Sequence, residues 1–249
     1  MFPLKDDIPS RSIPFVTCGL IALNVVIFLY QISLQGEGSP AGLRAARDFI
    51  FEFGLVPCRL TGECAPGGGL LPLALTVLTS MFLHGGFLHV GGNMLYLWIF
   101  GNNVEDTLGH ARFLVFYLVS GVAAAAAQVA LSAASSVPMI GASGAVAGVL
   151  GAYLLLFPRA NVLTLIIFGF FVRLVRIPAV FVLGFWFVVQ FLSGLATWAT
   201  SGAASGARGE AAGGETAWFA HLGGFLTGMA LLFILRPRDP WARGPSRSW

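Results

Sequence analysis

The sequence predicts an all-α, polytopic membrane protein with six transmembrane helices and a long loop after the first helix. Of the 249 residues, 57% are hydrophobic and only 10% are charged, whereas soluble domains carry about 25% charged residues. So few charges cannot cover a water-exposed surface, which excludes a cytosolic enzyme, a nucleic-acid-binding domain and a disordered chain. Many of the 32 glycines lie inside apolar stretches, as is typical of helices that pack closely in lipid.

A transmembrane helix needs about 20 consecutive apolar residues, and six stretches of the chain approach that length. They cover residues 14–34, 87–103, 113–132, 139–157, 177–200 and 216–235. The predicted membrane domain therefore extends over 14–235, between an N-terminal segment (1–13) and a C-terminal tail (236–249). Two further apolar stretches, 70–82 and 162–172, are too short to cross and are expected to be re-entrant or interfacial.

Six spans put both termini on one side of the membrane, and the basic residues indicate which side. Most Lys and Arg residues fall on the side of the termini, and cytoplasmic loops are enriched in these residues. The exceptions are Arg44, Arg47, Arg59 and Arg208. We therefore expect a multi-pass protein of the inner or plasma membrane with cytoplasmic termini and an external first loop. Cys58 and Cys64 share that loop, where a disulfide and two free thiols are both possible.

Polar side chains within an apolar span are costly in lipid, so each needs a partner or a function. Asn24, Gln128 and Gln190 each stand alone in an apolar stretch, and we expect them to form interhelical hydrogen bonds. His110 falls at the cytoplasmic end of its span, where a solvated turn residue is expected.

Four other polar residues come from three different spans and yet share one depth. These are His89, Asn93, Ser143 and His221. A rise of about 1.5 Å per residue places all four within roughly 3–9 Å of the outer boundary. Ser143 begins the fourth span, where free N–H groups and the helix dipole can stabilise an oxyanion. The alternatives without a catalytic role are that Ser143 only caps its helix and that His221 is a packing residue.

The fourth and sixth spans carry pairs of glycines four residues apart. The pairs are Gly144 with Gly148 and Gly224 with Gly228. Such spacing lets helix backbones approach closely, which would bring His221 within reach of Ser143 as a general base for a nucleophile. His89 and Asn93 are also four apart, so both could donate to one oxyanion. Because no carboxylate lies in a span at this depth, the sequence predicts a Ser–His pair without an acid.

Three segments resemble the motifs of the rhomboid family of intramembrane serine proteases. They are GASGAVAG around Ser143, AHLGGFLTG around His221, and MFLHGGFLHVGGNMLYLWIFGNNVED with its HxxxN pattern. The resemblance covers about residues 79–235. It implies that Ser143 is the nucleophile, that His221 is the general base, and that the protein forms a six-helix bundle with a long first loop.

The resemblance also implies an oxyanion hole made of His89, Asn93 and the Ser143 amide, with His84 and Gly141 as structural support. It implies cleavage of single-pass transmembrane substrates near their extracytoplasmic end, in a cavity opened by the fifth helix and a capping loop. Neither a cofactor nor a metal is expected, and nucleic acid is not an expected partner.

Two departures from the family pattern concern the surroundings of the predicted site. The Trp-Arg pair of the first loop is missing, and the aromatic residue expected four positions after the serine is Ala147. Trp218 and Phe219 are the nearby candidates to replace that aromatic residue. A catalytically inactive relative that binds transmembrane clients is the first alternative function. A small transporter is the second, although ion pathways generally need a charged residue at mid-depth.

Overall fold

The computed structural model describes residues 2–36, 38–65, 70–168, 171–203 and 217–236, and the protein is mostly helical. The helices are α1 (Phe15–Gln35), α2 (Pro40–Phe53), α3 (Pro57–Thr61), α4 (Leu73–Thr79), α5 (Phe87–Tyr96), α6 (Asn102–Leu108), α7 (His110–Leu131), α8 (Ser143–Leu156), α9 (Ala179–Ala203) and α10 (Trp218–Leu235). A 3-10 turn, Ser80–Phe82, follows α4, and a π-helical turn, Leu97–Gly101, joins α5 to α6. The predicted tail lies outside the described residues from position 237 onward.

Four described helices are long and apolar enough to cross a membrane. They are α1, α7, α10 and the first part of α9, Ala179–Ala196. The segments Leu73–Phe82 and Phe87–Leu108 meet at 82°, and count as a fifth span when taken together. Helix α8 has 14 residues, about 21 Å, which is shorter than the roughly 30 Å hydrocarbon core. Each predicted span contains a helix, and the count of six spans stays a prediction.

Helix α8 is the centre of the bundle. Every residue from Gly144 to Tyr153 is buried, so α8 contacts other helices on all sides. Against α10 the contact is between backbones: a β-carbon added to Gly224 would lie 2.0 Å from the carbonyl oxygen of Gly144, and one added to Gly228 would lie 2.0 Å from that of Gly148. Because no β-carbon fits there, these glycines fix both the distance and the register of the two helices.

The all-α expectation is wrong in one place, because three strands form an antiparallel sheet. They are β1 (Phe2–Asp6), β2 (Asn161–Phe168) and β3 (Phe171–Pro178), in the order β1-β2-β3. The apolar stretch 162–172, expected to be re-entrant or interfacial, supplies most of the β2–β3 hairpin. Val162 and Thr164 are fully buried while their neighbours in β2 are not. This alternation is the period of a half-buried strand, whereas the length of the stretch alone predicts a re-entrant or interfacial segment.

Two buried carboxylates attach the N-terminal region to the bundle. Asp6 accepts hydrogen bonds from Asn103 Nδ2 at 2.5 Å and Tyr153 Oη at 2.6 Å. Burial raises the pKa of the Asp6 carboxyl, and the bond from Tyr153 acts in the opposite direction. Glu105 accepts from the backbone N–H of Thr17 at 2.8 Å and so caps the start of α1. Strand β1 (Phe2–Asp6) and these bonds join part of the N-terminal segment expected over 1–13 to the bundle, and the domain boundary at residue 14 stays a prediction.

His110 is exposed, as expected, but it lies in a helix rather than in a turn. It begins α7, its Nδ1 lies 2.5 Å from Glu105 Oε1, and its side chain is 46% exposed. The imidazole is therefore a partner of the same carboxylate that caps α1.

The first long loop is folded rather than a simple connection. Helices α2, α3 and α4 lie within it, and Cys58 and Cys64 form a disulfide, which resolves the alternative that the sequence left open. Leu55 and Met139 exchange two backbone hydrogen bonds, of 3.1 and 2.7 Å. The loop is thereby bonded to the chain segment that leads into α8.

We expect Gly228→Ala to destabilise the protein by about 1–3 kcal/mol, because the new methyl group would overlap the backbone of Gly148. Thermal denaturation in detergent measures the loss. Gly19→Ala in α1 is the matched control, since a β-carbon there meets no atom within 4 Å. Equal melting temperatures for the two variants would contradict the backbone contact between α8 and α10.

Candidate active site

Ser143 is the first residue of α8, and the turn before it depends on a glycine. Gly141 has a φ of +124°, a conformation that side chains disfavour, and its N–H donates to the Ser80 carbonyl at 2.9 Å. Because the first N–H groups of a helix have no acceptor within the helix, the amides at the start of α8 are available beside the serine hydroxyl.

His221 lies on the first turn of α10, and its imidazole reaches Ser143 across the glycine contact of the two helices. The distance from His221 Nε2 to Ser143 Oγ is 2.7 Å, between residues 78 positions apart. His221 is only 9% exposed, and Ser143 is partly exposed. The predicted pair therefore lies within hydrogen-bond distance.

The other nitrogen of His221 has a partner from a third helix. Its Nδ1 lies 2.5 Å from Gln190 Oε1 on α9. The expectation that Gln190 forms an interhelical hydrogen bond is confirmed, and the partner is His221. Its single position in an apolar helix gave no indication of its partner, because that depends on how α9 and α10 pack.

Aromatic rings contact His221 even though position 147 is alanine. The Trp186 ring lies 5.9 Å from the imidazole at an interplanar angle of 40°, and the Trp218 ring lies 6.3 Å away, edge-on. Trp218 was one of the two candidates for this role, whereas the Phe219 ring lies beside Gly194 of α9. Trp186 was missed, although its spacing of four from Gln190 puts both on one helix face.

His89 flanks the turn that carries the serine. A β-carbon at Gly141 would lie 2.7 Å from His89 Nε2 and 3.7 Å from Ser143 Oγ, so the imidazole and the hydroxyl border the same glycine. His89 Nδ1 accepts the Gly85 N–H at 3.3 Å. This bond leaves the proton of a neutral imidazole on Nε2, the nitrogen that faces Gly141.

Asn93 is buried next to His84. The distance from its Nδ2 to His84 Nε2 is 3.1 Å, and the backbone of His84 is bonded in both directions to the Gln31 side chain of α1, at 3.0 and 3.2 Å. His84 thus links the first loop, α1 and α5. Asn93 and His89 lie on the same face of α5, as their spacing predicts.

The cluster combines a hydroxyl, an imidazole acceptor and free amides, which are the groups needed for acyl transfer by a serine nucleophile. Among the described residues, the hydrogen-bond partners of the His221 imidazole are a hydroxyl and an amide, not a carboxylate. The described residues also contain no group of three or more His, Cys, Asp or Glu side chains that could hold a metal ion.

Comparisons with known proteins point to a single family. The family model described as "Rhomboid domain" matches residues 74–238. Rhomboid protein 1, mitochondrial, of Saccharomyces cerevisiae is 35% identical over 163 residues, which are 62% of this chain and 40% of that protein. RHOMBOID-like protein 6, mitochondrial, of Arabidopsis thaliana is 30% identical over 167 residues, 66% of this chain and 45% of the relative.

A shorter match has higher identity. Rhomboid protease GluP of Bacillus subtilis is 42% identical over 78 residues, which are 31% of this chain and 15% of that protein. The chain spans less than half the length of these three relatives.

Gly141→Ala is expected to disrupt the site while the bundle stays folded. The added methyl group would lie 2.7 Å from His89 Nε2, in a backbone conformation that costs about 1 kcal/mol or more for a residue with a side chain. Reaction of Ser143 with a fluorophosphonate should fall at least tenfold, with unchanged helix content by circular dichroism.

Gly85→Ala serves as the control for this substitution. Its β-carbon would meet the same imidazole at an ordinary 3.7 Å, so labelling should be close to that of the unsubstituted protein. Full labelling of the Gly141→Ala protein would contradict the arrangement described above.

Proposed function

Because this chain belongs to the rhomboid family, we propose that it is an intramembrane serine endopeptidase that cleaves transmembrane segments near the extracytoplasmic face. The observation that carries the proposal is the 2.7 Å contact between Ser143 Oγ and His221 Nε2. It joins two residues from the two segments that resemble rhomboid motifs. The name of the GluP relative, a rhomboid protease, supports the same activity.

The reaction follows from the positions of the hydroxyl and the imidazole. Nε2 of His221 takes the proton of Ser143 as Oγ attacks the carbonyl carbon of the scissile peptide bond. The tetrahedral intermediate collapses when His221 gives this proton to the leaving nitrogen, and an ester on Ser143 remains. His221 then takes a proton from water, the hydroxide attacks the ester, and the proton returns to Ser143. The net reaction is hydrolysis, without a cofactor.

The oxyanion would be stabilised from two sides. The free amides at the start of α8 and the positive end of the helix dipole lie on one side. His89 supplies the Nε2 proton that its bond with Gly85 leaves on that nitrogen, and the Asn93 amide supplies a further donor. In this proposal, His84 has a positioning role, because its ring nitrogen contacts Asn93 rather than the serine.

The proposed topology has six spans, cytoplasmic termini and the site close to the outer surface of an inner or plasma membrane. The distribution of basic residues supports this orientation. The substrates are single-pass membrane proteins, whose unfolded or kinked segments can present a peptide bond to the partly exposed Ser143 hydroxyl. Two of the relatives are named mitochondrial, and the proposed chemistry is the same in any membrane.

We expect a fluorophosphonate probe to label the purified protein in detergent, and Ser143→Ala and His221→Ala to remove the labelling. Ser120→Ala is the matched control, since Ser120 is a fully buried serine of α7 that lies against Gly148. Labelling of the control at the wild-type level, with none in the first two variants, supports the assignment. Labelling that persists in Ser143→Ala would refute it.

Cleavage is tested separately, by co-expression with a panel of single-pass membrane proteins of the host. Active protein should produce a shortened product that is missing with Ser143→Ala. A client that co-purifies with the protein but is never cut would instead favour the inactive, client-binding relative.

A further inference from the structure

Gln190 is a buried residue that contacts His221 but takes no part in the reaction described above. It lies on α9, it is 8% exposed, and its Oε1 is 2.5 Å from His221 Nδ1. The opposite nitrogen of the same ring contacts Ser143. The three side chains therefore form a continuous chain of hydrogen bonds that crosses from α9 through α10 to α8.

We propose that Gln190 is a positioning residue that fixes the tautomer and the orientation of the His221 base, an inference that rests on the proposed function. An amide oxygen can only accept a hydrogen bond, so it requires the imidazole proton to be on Nδ1. The lone pair of Nε2 then faces the serine hydroxyl, as a general base requires. The opposite tautomer would direct an N–H at Ser143 and could not accept its proton.

Trp186 restrains the same ring from its face. It precedes Gln190 by four residues and therefore lies on the same side of α9, and its ring also stacks on Phe225 at 6.1 Å and 30°. An imidazole that is held at Nδ1 and packed against an indole has little freedom to rotate. The contacts of Gln190 and Trp186 with His221 restrain the imidazole, which the resemblance led us to expect of an aromatic residue at position 147.

Gln190 is uncharged, which distinguishes the Ser143–His221–Gln190 chain of hydrogen bonds from one that ends in a carboxylate. Helices α8, α9 and α10 contain no Asp, Glu, Lys or Arg, and His89 of α5 is a titratable group that interacts electrostatically with His221. A neutral amide orients the imidazole but stabilises its protonated form less than a carboxylate does. The unsubstituted enzyme should therefore keep its neutral base to lower pH than the Gln190→Glu variant.

The kinetic test compares Gln190→Met, Gln190→Glu and a matched control, Gln128→Met. Gln128 is a partly buried glutamine of α7 that accepts the N–H of Ala220, beside His221, at 3.2 Å. Gln190→Met should lower kcat about 10- to 100-fold with KM within twofold, and Gln128→Met should retain kcat. Gln190→Glu should recover most of kcat and move the acidic limb of the kcat/KM profile upward by roughly one pH unit.

A spectroscopic test does not depend on protease activity or on the folding of the Gln190→Glu variant. Histidine labelled with ¹⁵N, in the unsubstituted protein and in its Gln190→Met variant, reports which ring nitrogen of His221 carries the proton. We expect the Nδ1–H tautomer with Gln190 and a mixture of tautomers without it. If wild type cuts no substrate, the proposed function fails, and this spectrum alone decides the role of Gln190. An unchanged tautomer, or equal losses of kcat in Gln190→Met and Gln128→Met, would overturn the proposal.

Discussion

The contact between the backbones of α8 and α10 is the constraint on which the rest of the structure depends. Lipid offers no hydrophobic force to draw two apolar helices together, so their distance is set by how closely atoms can pack. The main chains of α8 and α10 are in direct contact at four glycines, Gly144, Gly148, Gly224 and Gly228. Ser143 and His221 lie at one end of this contact, and the close approach of the two helices allows their separation of 2.7 Å.

Much of the helical framework and of the Ser143–His221 pair could be predicted, because each has a local signal. Apolar stretches of near-spanning length contain the helices, and short motifs mark the two residues. The sheet was missed since β2 alternates over only a few residues, within a stretch that is apolar throughout. The partner of Gln190 and the contact of Trp186 were missed for a different reason: both arise from the packing of α9 on α10, and a solitary polar residue in a helix does not identify its partner.

The two ends of the bundle are stabilised by different chemistry. Near the termini, Asp6 and Glu105 accept hydrogen bonds from three other segments of the chain, and a sheet ties the N-terminus to the connection between α8 and α9. Near the candidate site, the first loop is bonded to the segment before α8 through Leu55 and Met139. Both sets of bonds restrain the ends of α8, so Ser143 is supported by a fixed helix and a fixed preceding turn.

The Cys58–Cys64 disulfide relates one end of the molecule to the redox conditions around it. Structural disulfides endure where thiols are not continually reduced, as in the periplasm, at the cell surface or in other oxidising spaces. The loop that contains this disulfide lies at the same end of the bundle as Ser143, because Leu55 of the loop is hydrogen-bonded to Met139 of the segment that leads into α8. The disulfide and the Ser143 hydroxyl thus lie at one end of the bundle and share one redox environment.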